Sequence, residues 1–156
     1  MRIRHSKGFT LVELMVSVAV FVILLVVAIP SLGPFLQRQR VKGATMDIAA
    51  TVVLARSEAI KRNTVVTVTS TTANSDWSKG WAVTAGTDAI RSQAAMDGIS
   101  VIEKSNANFS FGGDGRLQGT GMAFTIRSTI AATGQQPDCI TVGATGRVQT
   151  TNGACL

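Results

Sequence analysis

Apolar and polar positions divide the chain into three textures. Residues 11–29 are apolar except for Glu13 and Ser17, with Thr10 at the edge. In residues 37–62 the apolar side chains recur at helical spacing: Val41, Ala44, Ile48, Val52, Ala55 and Ala59 fall on one face. A second stripe runs through Met46, Ala49, Val53 and Ile60. After Asn63 glycine, serine and threonine become frequent and β-branched residues alternate with polar ones, which predicts short strands over 64–70, 80–85, 99–104, 108–111, 122–127, 139–142 and 147–150. Met122, Phe124 and Ile126 alternate with Ala123, Thr125 and Arg127, so that strand buries one face. Gly112-Gly113-Asp114-Gly115 predicts a hairpin-type turn between Phe111 and Arg116, and the segments around Asn74 and 129–136 read as loops. The class is α+β: a long N-terminal helix, membrane-spanning in its first half and amphipathic in its second, packed on an antiparallel β-sheet domain.

The first texture has the length and apolarity of a marginal membrane span. A bilayer core takes about 20 apolar residues in helix, and 14–29 is a run of sixteen positions with Ser17 among them, extended to residue 11 only by including Glu13. Arg2, Arg4 and Lys7 precede it with no acid among them, which keeps that flank cytoplasmic and exports the rest. A cleaved secretory signal would share the basic flank and apolar run. Against it, no small-x-small cleavage site follows: the sequence continues Val27-Ala28-Ile29-Pro30-Ser31-Leu32. Moreover, Glu13 places a carboxylate near the start of the run, where a charge needs a partner.

Lys7-Gly8-Phe9-Thr10-Leu11-Val12-Glu13-Leu14 resembles the cleavage motif of type IV prepilins. The resemblance implies cutting between Gly8 and Phe9 by a membrane-embedded aspartyl prepilin peptidase, and N-methylation of Phe9. It implies that Glu13, fifth in the mature chain, pairs with the new N-terminal ammonium of a neighbouring subunit and sets its register in the filament. Low dielectric would strengthen that pair. Pro30 matches the helix-kinking proline of many pilins, and with Gly33-Pro34 it predicts an interruption across 30–34. The implied organisation is a cleaved leader (1–8), a transmembrane helix with a Pro30 break (9–34), an amphipathic helix (35–62) and a periplasmic β-sheet domain (63–156). The helix would sit single-pass in the inner membrane with a cytoplasmic N-terminus, before the subunit enters a pilus or pseudopilus.

Charge supports this division. The formal charge of +6 falls to +3 once Arg2, Arg4 and Lys7 are lost, and His5, the single histidine, leaves with them. Arg38, Arg40, Lys42, Arg56, Lys61 and Arg62 share their segment with only Asp47 and Glu58, whereas six bases and six acids balance from Asn63 onward. Glu58 and Arg62 form an i,i+4 pair, and Asn63 is placed to cap the helix. One stripe of this helix is expected on the protein's own sheet and the other on neighbouring subunits; the alternative is burial on both sides within one domain.

Ala55-Arg56-Ser57-Glu58-Ala59-Ile60-Lys61-Arg62, Trp77-Ser78-Lys79-Gly80-Trp81, Phe111-Gly112-Gly113-Asp114-Gly115-Arg116 and Gly146-Arg147-Val148 resemble the GspH/FimT family, minor pilins of type IV pili and minor pseudopilins of type II secretion. The helix end and Pro30 are most similar to FimT/FimU-type pilins. The resemblance implies a pilin fold, a structural role in starting pilus assembly for twitching and adhesion, and partners among major and minor pilins, the prepilin peptidase and the inner-membrane assembly platform. Some members bind DNA through a C-terminal Gly-Arg-x-Arg motif. Here Gly146-Arg147-Val148-Gln149 lacks the second arginine, which leaves Arg147, with Arg127 and Arg116, as weak candidates in a neutral domain.

Cys139 and Cys155 are the two cysteines. In an exported domain they predict a disulfide closing a loop of about 15 residues, against free thiols or a metal pair, and two cysteines without histidine are a poor zinc set. The mature chain cannot assemble a Ser-His-Asp or Cys-His unit, and it has no phosphate-cradling glycine loop of the P-loop or dinucleotide type. No catalytic residue, cofactor or metal is therefore expected. Trp77 and Trp81 read as packing rather than a ligand platform, and nothing in the spacing of Asp76, Asp88 and Asp97 favours a metal.

Overall fold

The computed structural model describes residues 8–72, 76–105, 108–130 and 135–155, with the backbone alone at 27 and 29–31. The bases of the leader, the loop at Asn74 and half of the loop at 129–136 lie outside the described residues.

One helix, α1, runs Leu11–Arg62. The interruption expected across 30–34 is absent from its backbone. A proline removes a single donor and loosens one turn, and helical bonds on either side can carry the helix through. The start is fixed by Thr10, whose Oγ1 accepts the Glu13 N–H at 3.2 Å, and the end by Asn63 in the left-handed conformation, whose N–H reaches the Ala59 and Ile60 carbonyls.

Eight strands follow: β1 Val66–Ser70, β2 Trp81–Ala85, β3 Asp88–Gln93, β4 Ile99–Glu103, β5 Phe109–Phe111, β6 Met122–Ser128, β7 Asp138–Val142 and β8 Val148–Asn152. They form two antiparallel four-stranded sheets, in the orders β3-β2-β1-β5 and β4-β6-β7-β8. Seven match the alternation in the sequence to within about two residues. The eighth, β3, has no apolar alternation: Asp88-Ala89-Ile90-Arg91-Ser92-Gln93 is exposed at Asp88, Ala89, Arg91 and Ser92. It is held by its backbone ladder to β2, with an irregularity between Val83 and Thr84.

The helix packs on strands of both sheets. Val41, Ala44, Ile48, Val52, Ala55 and Ala59 are all buried, and meet Val66, Val68 and Val83 of one sheet and Val101, Phe124, Ile126 and Ile140 of the other in one core. Small side chains at 44, 55 and 59 let the helix approach closely. The second stripe is mostly outside: Met46, Val53 and Ile60 are exposed and Ala49 is half-buried, so the helix is not buried on both sides within the domain. Trp77 and Trp81 are 2% and 1% exposed. Trp77 stacks on Phe109 and meets Phe124 edge-on, and the Trp81 indole N–H donates to Thr51 Oγ1 of α1 at 3.0 Å. The tryptophans are core, not a platform.

Candidate functional site

The first site is the start of α1. Phe9 and Gly8 are exposed, and a Cβ added at Gly8 would meet nothing within 4 Å. The chain's own packing therefore does not demand glycine there. Thr10 and Glu13 have the spacing of a capping box, of which only the Thr10 half is made. The Glu13 carboxylate has no ion-pair partner among the described residues. It stands in the first turn, at the positive end of the helix dipole and four residues from Phe9. The side chains from Leu11 to Leu25, together with Val26, Leu32, Phe35 and Leu36, project from α1 with every large apolar group exposed. Among the described residues no helix is long and apolar enough to cross a membrane. The side chains at 27 and 29 inside the apolar run, and at 30 and 31 just after it, lie outside the described residues.

The second site is the far end of the same helix, where three of the sequence motifs converge. The turn after β5 closes through Gly115 N–H to Gly112 O (2.8 Å) and Arg116 N–H to Asp114 Oδ1 (3.1 Å). It is bonded to the β7–β8 turn by Leu117 N–H to Ala144 O at 3.0 Å. Gly115 and Gly146 both have φ of +75°, and a Cβ on either would press on α1: on Ile60 at 2.6 Å and on Arg56 at 2.9 Å respectively. Glycine thus serves the helix contact as well as the turn. The helix end, the Gly-Gly-Asp-Gly turn and the Gly146-Arg147 turn are one junction, which is why these motifs occur together in one sequence.

The candidate arginines do not converge as a set. Arg116 and Arg147 are exposed on the two joined turns, beside the partly buried Arg56. Arg127 pairs with Ser100 at the other end of β6, five residues beyond the Met122–Val142 pair, or about 17 Å along the strand.

Glu58 on the last turn accepts from Arg62 Nε at 2.8 Å and from Lys61 Nζ at 3.4 Å. The Arg62 hydrogen bond, with help from Lys61, holds its carboxyl below the usual carboxylate range against the opposing effect of burial. Arg62 also reaches Asp88 of β3 at 3.4 Å, tying the helix end to the edge strand. Asp76 accepts from the Ser78 N–H and hydroxyl, and Asp97 is exposed in a turn. Among the described residues no three His, Cys, Asp or Glu side chains are grouped to hold a metal.

Cys139 and Cys155 are joined as a disulfide, with Cα atoms 5.1 Å apart. Cys139 lies on β7, and the Cys155 N–H donates to Thr125 Oγ1 of β6 at 3.1 Å. The chain end is thus fastened to two strands beyond β8.

A family model described as type II transport protein GspH matches residues 44–146. The chain belongs to the GspH family. The matched GspH region takes in the buried helix face from Ala44 onward, strands β1 to β7 and the junction of the motifs as far as Gly146. A second model, the prokaryotic N-terminal methylation motif, matches residues 3–29. Among solved structures the chain is similar to the type IV minor pilin FimU of Pseudomonas aeruginosa. One crystal form gives a TM-score of 0.63 at 21% identity, covering 75% of this chain and 92% of that one. Another gives 0.60 at 22%, covering 70% and 91%. The GspH chain therefore has the α+β fold of a minor pilin, a long N-terminal helix on antiparallel sheets. No curated protein matches it.

Two residues of functional interest were hidden from the sequence. Glu103 is 1% exposed, with its carboxylate accepting from Ser105 N–H and hydroxyl; a strand-end glutamate normally reads as solvated. Thr51 gave no signal either, because its role in holding Trp81 depends on two segments thirty residues apart.

Proposed function

We propose that this protein is a minor type IV pilin, a structural subunit that helps to start pilus assembly. The observation that carries the reading is the methylation motif at the head of a helix whose first half keeps its described large apolar side chains exposed. In this reading residues 1–8 are the leader, Gly8–Phe9 is the prepilin peptidase site and Phe9 is N-methylated. Residues 9–34 anchor the precursor single-pass in the inner membrane, and the domain from 63 onward is periplasmic. On entry to the filament, Glu13 meets the Phe9 ammonium of a neighbouring subunit, which neutralises two charges that are each costly in an apolar surround. Other pilins then cover the stripe at Met46, Val53 and Ile60, and the assembly platform drives the insertion.

The fold likeness to FimU supports the pilus. The family description, a type II transport protein, supports a second reading, a minor pseudopilin. Surface piliation counted in a strain lacking the gene, beside its complemented counterpart, separates them. Loss and recovery of pili is the expected result. Unchanged piliation with failed protein secretion would replace the pilus reading by the pseudopilin one. Titrating the full chain with duplex DNA over a salt series tests DNA capture separately. The splitting of Arg127 from Arg147 and Arg116 leads us to expect no salt-dependent binding.

A further inference from the structure

The flank that follows the apolar run carries a charge pattern that anchoring does not explain. Three bases precede the run (Arg2, Arg4, Lys7) and three follow it closely (Arg38, Arg40, Lys42). Orientation by positive charge favours bases on the cytoplasmic side only, so those at 38, 40 and 42 work against it. Each is exposed, and none has an ion-pair partner among the described residues. The continuous helix fixes their height. Arg38 and Lys42 lie 27 and 31 residues beyond Leu11, or about 40 and 46 Å along the axis. A bilayer with its headgroups is about 40–45 Å thick. With Leu11 at the inner edge of a hydrocarbon core about 30 Å thick, the two Cα atoms stand roughly 10 and 16 Å past its far edge when α1 is upright, and a tilt of about 30° brings Arg38 into the headgroup layer with Lys42 just above it; exposed apolar residues give way to Gln37 just below them.

The helix face they occupy is concave. Arg38 and Lys42, four apart on one side of α1, line a cleft of about 290 Å³ with Val41, Gln135, Asp138 and Asn152. Arg40 is turned away, its Nη1 3.1 Å from the place of a Gly98 Cβ. Both polar atoms of the Gln135 side-chain amide are buried there without a hydrogen-bond partner among the described residues, an arrangement that costs stability unless something fills it. Asp138 is partly engaged, accepting from Thr45 Oγ1 at 3.1 Å. The cleft thus offers two cations and three side-chain amides, those of Gln135, Gln136 and Asn152, with one carboxylate at its side.

We infer that this cleft holds a phospholipid headgroup at the outer surface of the membrane that anchors α1. Arg38, Lys42 and the Gln135 amide donate to the phosphate, and Asp138 accepts from the headgroup's hydroxyls. The inference rests on the anchored reading of α1 given above. It gives the subunit a seat at a fixed height in the membrane before assembly. It also lets the outer-flank bases be neutralised by lipid.

The test uses the full chain in neutral detergent, titrated with phosphatidylglycerol and followed by native mass spectrometry. One saturable lipid is expected. Arg38→Gln with Lys42→Gln should weaken it by at least tenfold, on the basis of roughly fivefold per charge near a membrane surface. The charge-keeping pair Arg38→Lys with Lys42→Arg should retain binding within about threefold, which also guards against a folding defect. Lys79→Gln with Arg91→Gln, exposed bases elsewhere, should change nothing, and diacylglycerol, which has the tails without the phosphate, should not bind. Equal binding by the Arg38/Lys42 pair, or equal loss by the Lys79/Arg91 pair, overturns the inference. So does displacement by millimolar inorganic phosphate, which would make this a free-phosphate site. A photo-crosslinker at Asn152 that captures a protein chain in membranes instead of lipid would assign the cleft to a neighbouring subunit and likewise overturn it. Alkaline carbonate extraction separates the two readings. A chain stripped from membranes removes the anchor, whereas an integral chain indifferent to Arg38 and Lys42 removes only the headgroup site.

Discussion

The two halves of α1 are one helix with opposite relations to the rest of the protein. From Val41 to Ala59 every position of the inner stripe is buried, and each answers to a strand of one sheet or the other. From Leu11 to Leu36 the described large apolar side chains stay exposed. The second half is folded by the domain and the first half by whatever surrounds it, lipid or other subunits. Function therefore attaches to the half whose described apolar side chains are left exposed, and stability to the half that is packed. A substitution should damage one and spare the other according to which half, or which face, it falls on.

The largest expected effect is at the head of the unpartnered half. Glu13→Val should leave processing and domain stability unchanged but reduce incorporation into sheared surface fibres by at least about tenfold, since a lone ammonium is left in an apolar surround. Gly8→Val should instead stop the precursor being shortened, which a mass measurement on membrane fractions would show. Normal incorporation of the Glu13 variant would remove the proposed pairing with Phe9.

Next comes a pair of neighbours on the other half. Val52 is 0% exposed and Val53 is 60% exposed. Val52→Asp buries an unpaired charge and should cost about 3–5 kcal/mol, a large share of the total for a domain of this size. Val53→Asp should stay within about 0.5 kcal/mol in thermal unfolding of the full chain, while lowering incorporation into fibres. Should Val53→Asp unfold the domain as Val52→Asp does, the outer stripe is internal and the two-faced reading of the helix fails.

Much of this was readable in the sequence where one residue's neighbours lie close along the chain. The inner stripe at period 3.6, the alternation of Met122, Phe124 and Ile126, the Asn63 cap and the Glu58–Arg62 pair are local patterns, and all are present. What could not be read depends on distant pairing. The split into two sheets follows from β5 joining β1 while β4 joins β6, and no local signal assigns partners. Strand β3 was invisible because an edge strand that packs only Ile90, half-buried, against the core needs no apolar alternation. The prolines misled in the other direction. Propensity weighed against Pro30 and Pro34, but the backbone runs through them. At the second site, the three motifs were readable as separate strings, yet their convergence on Arg56 and Ile60 is a tertiary fact.

The disulfide sharpens the comparison from the domain side. It joins residues 16 apart, for which chain entropy gives about 3 kcal/mol. Cys139→Ser with Cys155→Ser should lower stability by about that amount and raise amide exchange in β8, whose positions are mostly exposed. Incorporation into fibres at low temperature should persist, because the anchoring half of α1 does not depend on β8. A variant as stable as the parent would mean that the Thr125 contact and the β7 ladder already fasten the end.

The smallest expected effect sits where the two-faced helix ends. Glu58 ordinarily titrates near 4.5, and Arg62, chiefly by its hydrogen bond, holds it lower. A carboxyl depressed on folding adds stability that is complete above its unfolded value and is lost as pH falls through the folded value. The window therefore opens just below pH 4.5 and extends downward. Arg62→Gln removes the hydrogen bond and should bring the Glu58 midpoint, followed by carboxyl carbon shifts in the full chain, up toward its ordinary value. The same substitution also releases Asp88 at the edge strand, so amide exchange in β3 should rise at neutral pH. Concentrated salt should mimic only part of the change, since screening weakens the charge attraction more than the short hydrogen bond. A Glu58 midpoint that does not move in Arg62→Gln would assign the depression to Lys61, and then Lys61→Gln should move it instead. Either way the helix's first half should be indifferent, because nothing in it touches this pair.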